Sequence, residues 1–210
     1  VAAGGRHGPD QCDRAGAGTV GLHSAGALVH RGEARGEVGR VAFLDRHLAE
    51  PSGDLLGAGL MAELKARRPD IHFEGIGGER MLAVGMDSWA PMEQLSVMGL
   101  VEVLKHLPSL LRLRADLTLR WLASPPDLFI GVDAPDFNLT LERKLKQAGV
   151  RTVHYVSPTV WAWREKRVHK IRASVDLLLS IFPFEQAFLG RHQVRSEYVG
   201  HTLAAEMPMQ

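Results

Sequence analysis

A chain of 210 residues, 45% hydrophobic and 23% charged, is long enough to bury one substantial core or two small ones, and nothing in its composition suggests overall disorder. A formal net charge of +1 supplies no global field for recruiting nucleic acid, so any basic effect is local. The single Cys12 excludes a disulfide framework and a cysteine zinc site and fits a reducing compartment, and no apolar run reaches the roughly 18 residues of a membrane span.

Residues 1 to 40 hold ten of the 22 glycines and no lysine, and no hydrophobic period survives more than a few positions, so they are left unassigned and expected to be disordered or misread. The start at Val1 rather than Met points the same way, and the N-terminus lacks a signal-peptide hydrophobic region. Gly39 to Leu44 has the character of a strand, but Asp45, Arg46 and His47 interrupt it at once. From Glu50 the pattern becomes coherent. PSGDLLGAGLMAELKARRPD reads as a turn and a helix with apolar Leu55, Leu56, Leu60, Met61 and Leu64, a basic last turn and a stop at Pro69. Ser52 or Asp54 can cap it, and its first-turn amides suit an anion or a sugar hydroxyl. IHFEGIGG adds a strand and a glycine turn of close backbone approach, and ERMLAVGM a short helix.

Leu95 to Leu122 is the longest helical stretch, interrupted by Gly99 and Pro108. Val101, Leu104, Leu107 and Leu111 share one side, with Val103 and Leu110 beside them and Lys105, His106, Arg112 and Arg114 interleaved. Periodicity admits two readings, a core-facing helix or a basic amphipathic surface for an anionic membrane or acyl chains.

Asp127 to Asn138, DLFIGVDAPDFN, is the stretch that organises the chain. Leu128 to Val132 is a short apolar run of the kind buried on both faces of a parallel sheet, and it ends in two carboxylates, Asp133 and Asp136. Pockets in open α/β sheets lie outside the carboxyl ends of the strands, where an aspartate is able to take a proton from a hydroxyl; the alternative is a turn cap. Pro135 biases Ala134 away from helical geometry. LTLERKLKQAGV is then a helix ending at Gly149, VRTVHYVSP a strand, and TVWAWREKRVHKIRASVD a segment that turns basic. Leu177 to Ile181 is a buried strand, PFEQAFLGRHQV a helix and SEYVGHTL a last short strand. The alternation predicts a parallel, right-handed doubly wound sheet. Trp161 and Trp163 suit stacking on a sugar or simple packing, and His154, His169 and His201 are too scattered for a metal site.

Several segments taken together carry a specific match. GGERM, MEQLSVMGLVEVL, PPDLFIGVDAPDFN, HYVSPTVWAWREKRVHKI, PFEQAF and YVGHTLA, in this order and spacing from Glu50 to Met209, closely resemble the N-terminal half of the lipid-A-disaccharide synthases. The resemblance implies a GT-B glycosyltransferase with two Rossmann-like domains facing a cleft, of which residues 41–210 form the acceptor-side domain. It implies condensation of UDP-2,3-diacylglucosamine with 2,3-diacylglucosamine 1-phosphate to lipid A disaccharide 1-phosphate and UDP, with inversion and with no metal or cofactor. By motif match Asp133 is the general base. Glu50, Ser52, Gly53 and Asp54, with Asp136 and Asn138, face the substrate; Val101, Val103, Leu104, Leu107, Leu110 and Leu111 form the membrane or acyl-chain surface. Asp136, past a rigid proline, is expected to be mainly structural. The implied location is cytoplasmic, peripheral on the inner membrane.

This chain also departs from the pattern. The family runs an apolar strand into Gly-Glu-x-Ser-Gly-Asp, whereas DRHLAEPSGD places charges there and Ala49 in place of the glycine. The sequence stops at Gln210, where the linker to a nucleotide-binding domain is expected, so the chain alone is expected to lack transfer activity. A nucleotide-sugar epimerase-like GT-B half and a non-catalytic α/β binding module are the competing readings; the wide apolar face and DAPDFN argue against the first. The lack of further acids at neighbouring strand ends argues against the second.

Overall fold

The computed structural model describes residues 39–45, 51–89, 100–158 and 167–200, with backbone alone for Pro51 and residues 100–107. Its strands are β1 (Arg40–Asp45), β2 (His72–Ile76), β3 (Met86–Ser88), β4 (Leu128–Val132), β5 (Arg151–Tyr155), β6 (Leu177–Ser180) and β7 (Ser196–Tyr198). Between them run helices α1 (Pro51–Arg67), α2 (Glu79–Val84), α3 (Leu100–Ala123), α4 (Pro135–Gln147), α5 (Val168–Ser174) and α6 (Glu185–Arg191). Among the described residues the strands form one sheet in the order β3-β2-β1-β4-β5-β6-β7, and every pairing is parallel. This is the expected α/β, Rossmann-like doubly wound arrangement, and the winding reverses between β1 and β4.

Alternation along the strands sorts the core into two layers. Val41, Phe43, Leu128, Ile130, Val132, Val153 and Tyr155 meet α1 and Met81 on one face. Ala42, Leu44, Ile76 and Phe129 meet Leu110, Leu117 and Trp121 of α3 and Phe137, Leu141 and Leu145 of α4 on the other. A third cluster joins Leu139 and Leu178 to α5 and α6.

Four local expectations are corrected. Asp45 does not break the first strand: it is the last residue of β1, opposite Val132, and fully buried. Its carboxylate lies against the first turn of α1, where a Cβ on Gly53 would come within 2.7 Å of Oδ2; the missing side chain makes the room, and the positive end of the helix suits the charge. Arg46 and His47 lie outside the described residues. Pro108 does not interrupt α3, which runs through it. Gly85 ends α2 in the left-handed region (φ 104°), and the chain enters an unforeseen edge strand, β3. Finally, the helix expected from Leu139 begins earlier, at Pro135, so Asp136 and Asn138 belong to α4.

Asp54 caps a helix other than its own. Its Oδ2 accepts the Arg80 backbone N–H at 2.9 Å and its Oδ1 the Met81 N–H at 3.0 Å, tying α1 to the start of α2. A Cβ at Gly78 would fall 2.4 Å from the Asp54 carboxyl carbon, so glycine is needed for this approach. Asp54→Ala should therefore lower unfolding free energy by about 0.5–2 kcal/mol, the usual worth of an N-cap, in urea denaturation; an unchanged midpoint would show the cap to be idle.

Candidate active site

β4 is buried along its whole length and gives way to α4 through two residues, Asp133 and Ala134, with φ of 48° and 44°. Pro135 was expected to push Ala134 toward extended backbone, but φ 44° and ψ 54° put it in the left-handed region. Such backbone costs of order 1–3 kcal/mol per residue and persists only where the surroundings over-determine it. The Asp133 N–H donates to the Tyr155 carbonyl at 2.8 Å, extending the β4–β5 ladder into the turn. The Ala134 carbonyl accepts both the Phe137 and Asn138 N–H groups at 3.0 Å, which starts the helix. A third strained residue, Val156 (φ 78°), follows β5 and donates its N–H to the Leu179 carbonyl at 3.0 Å. The sequence carried no sign of it. Positive φ at a β-branched side chain is a true outlier, and such residues cluster at working sites.

Asp133 is half-buried at the carboxyl edge beside the switch point, and among the described residues no group is bonded to its carboxylate. Asp136, two residues into α4, is exposed and accepts from Arg167 Nη2 at 2.8 Å, bridging the starts of α4 and α5. A solvated pair of this kind contributes at most ~1 kcal/mol. Asn138 is fully buried, and its carboxamide is turned into the protein, toward the carbonyls of Leu44, Val132 and Asp133. Of the Glu50 to Asp54 turn, Glu50 lies outside the described residues, Gly53 is buried under Asp45, Asp54 is spent on α2, and Ser52 is exposed. The side chains of Val101, Val103, Leu104 and Leu107 lie outside the described residues, as do Trp161, Trp163 and His201. Leu110 sits in the core against α4, whereas Leu111 is 45% exposed, with Leu119 and Leu122 exposed further along α3. A shallow apolar groove between α3 and α4, lined by Leu119, Leu122, Lys144 and Gln147, lies at the other end of α4 from Asp133. Among the described residues no three acidic, histidine or cysteine side chains are arranged to hold a metal.

Beneath α4 lies a buried hydrogen-bonded pair that the sequence did not announce. Glu142 Oε1 is 2.7 Å from His154 Nδ1, both side chains fully buried. The carboxylate fills the place of a side chain on Gly131, where a Cβ would be 2.2 Å from Oε1. Glu142 Oε2, His154 Nε2 and Asn138 Oδ1 have no hydrogen-bond partner among the described residues, so a polar row runs under the helix. Burial pushes the Glu142 carboxyl above its ordinary 4.5, opposed by the nearby His154 and Lys170.

Sheet order and switch point together define a Rossmann-like α/β protein, a class in which ligands bind outside the carboxyl ends of the strands at the switch point, here between β1 and β4. Residues 47–210 match the lipid-A-disaccharide synthetase family. The chain is 62% identical over 160 residues to a lipid-A-disaccharide synthase of Chromohalobacter salexigens, a stretch covering 76% of this chain and 42% of that relative. It is 60% identical over 161 residues to the Pseudomonas aeruginosa enzyme of the same name (77% of this chain, 43% of the relative) and 56% identical over 161 to that of Serratia proteamaculans (77% and 42%). The chain therefore belongs to the lipid-A-disaccharide synthase family and spans less than half the length of the curated relatives it matches.

The raised Glu142 value has a definite sign. The folded state holds this proton more tightly than the unfolded chain, so the group's contribution is most favourable below pH 4.5 and is lost as pH rises through the folded value. Glu142→Gln should remove that slope: its unfolding free energy relative to the parent should improve as pH rises above 4.5 in denaturant titrations. A difference that stays flat across that range would show that burial does not govern the carboxyl.

Proposed function

We propose that this chain is the acceptor-side half of a GT-B hexosyltransferase of lipid A biosynthesis, in which Asp133 is the general base. The reaction joins UDP-2,3-diacylglucosamine to 2,3-diacylglucosamine 1-phosphate and releases UDP. A sugar hydroxyl is a weak nucleophile until its proton is removed. Asp133 takes that proton as the acceptor oxygen attacks the donor's anomeric carbon from the face opposite UDP, which inverts the configuration. The observation that carries this reading is the Asp133 carboxylate itself, half-buried at the switch point of a sheet in this family and unclaimed by any described side chain. Asp136, by contrast, is held by Arg167.

In a radiolabelled transfer assay on enzyme containing this chain, Asp133→Asn should lower turnover by roughly two to four orders of magnitude with its thermal midpoint retained, and Asp136→Asn should keep most of the activity. The opposite ranking would sink the assignment.

We infer also that the exposed stripe of α3 docks on the cytoplasmic face of the inner membrane or receives acyl chains. The support is Leu111, Leu119 and Leu122 standing open beside the exposed Arg112, an apolar row with a basic neighbour. No helix among the described residues is long and apolar enough to cross a membrane. Leu110, turned into the core, is not part of this surface. Leu111→Ser with Leu119→Ser should weaken binding to anionic vesicles and leave the thermal transition intact, whereas Leu110→Ser should lower the transition. Equal vesicle binding by the double variant and the parent would refute the docking surface.

A further inference from the structure

The turn that carries Asp133 is held from below by one side chain. Asn138 Nδ2 lies 2.8 Å from the carbonyl oxygen of Asp133, 3.1 Å from that of Val132 and 3.3 Å from that of Leu44. With three carbonyl oxygens converging there, only the nitrogen end of the carboxamide is able to face them; the oxygen end would meet three acceptors. The Asp133 N–H is already committed to Tyr155, so both backbone polar groups of Asp133 are tied, one to β5 and one to Asn138. Through Leu44 the same amide also reaches the end of β1, across the switch point. We propose that Asn138 is a positioning residue, whose buried carboxamide sets the left-handed Asp133–Ala134 turn and so aims the Asp133 carboxylate.

This role is different from substrate contact, since a fully buried amide pointed at the backbone does not reach a ligand above the sheet edge. One helical turn further on, the Glu142–His154 pair seats the same face of α4 against the bare backbone of Gly131 and so supports the rotation of the helix that presents Asn138. Without the amide the strained turn loses hydrogen bonds that are expensive to leave unmade, and an ordinary backbone conformation competes.

The inference rests on the reading of Asp133 as base, but its test does not, because it is read on the unliganded chain. The probes are the 13C shift of the Asp133 carboxyl and the hydrogen exchange rate of its amide, in the parent, Asn138→Asp, Asn138→Ser and the core control Leu141→Val. Asn138→Asp keeps the shape and removes both donors; if it does not fold, Asn138→Ser is read in its place. The expected result is a displaced carboxyl resonance and amide exchange faster by roughly tenfold or more in the Asn138 variants, with both unchanged in Leu141→Val despite its lower thermal midpoint. Parent-like Asp133 signals in a folded Asn138 variant would overturn the proposal, and so would equal changes in the Leu141 control. Undiminished transfer by Asp133→Asn would instead remove the base assignment and leave these signals as they stand.

Discussion

A strand buried on both faces has to become a helix at the end of β4, within two residues and without a glycine, and the rest of the site follows from how that is achieved. Asp133 and Ala134 take left-handed backbone, which side chains disfavour, and the surroundings hold them there. Tyr155 receives one N–H, Asn138 meets the carbonyl behind it, and Pro135 enters the helix at its first position, where its missing N–H costs nothing. Strain of this size needs several restraints acting together, and they come from β1, β5 and α4 at once. The direction of the Asp133 carboxylate is therefore a property of the whole switch point.

The polar row beneath α4 fits the same logic. A buried polar pair is weak evidence for stability, since replacing both partners by apolar groups of the same shape is often nearly neutral, while removing one leaves the other's polar atom unsatisfied. What Glu142 and His154 add is discrimination between helix placements. A purely apolar face slides with little penalty, but a carboxylate that must sit over Gly131 and meet His154 tolerates one seating. Asn138, on the same face of that helix, inherits the precision.

Most of the sheet was legible because its signals are local. The apolar runs at Leu128 to Val132 and Leu177 to Ser180 and the glycine stop at Gly149 each reflect burial or backbone preference within a few residues. What escaped depends on distant partners. Asp54 was read as the cap of its own helix because sequence shows neighbours only, and the amides it serves lie some 26 positions on. Asn138 was placed at the substrate by motif match alone, whereas Pro135 starts a helix there and turns the amide inward. A signal for the Glu142–His154 pair was nevertheless present: Glu142 falls beside Leu141 and Leu145 on the buried face of α4, His154 stands inside an apolar strand, and Gly131 interrupts another. A glycine within a strand marks close approach, and here what approaches is the carboxylate.

β1 pairs with β2 on one side and β4 on the other and sends Val41 and Phe43 to one layer and Ala42 and Leu44 to the other. Period-2 burial is satisfied by any run of suitable size, and the charge that ends it is accommodated because Gly53, inside the matched region, leaves room for a carboxylate at a helix N-terminus. The sheet needs from β1 a ladder and two apolar faces. The turn at Asp133 needs one atom of it, the Leu44 carbonyl oxygen, which any residue in that register supplies. Backbone therefore carries the link from β1 to the turn, and across the switch point one side chain meets it, the carboxamide of Asn138.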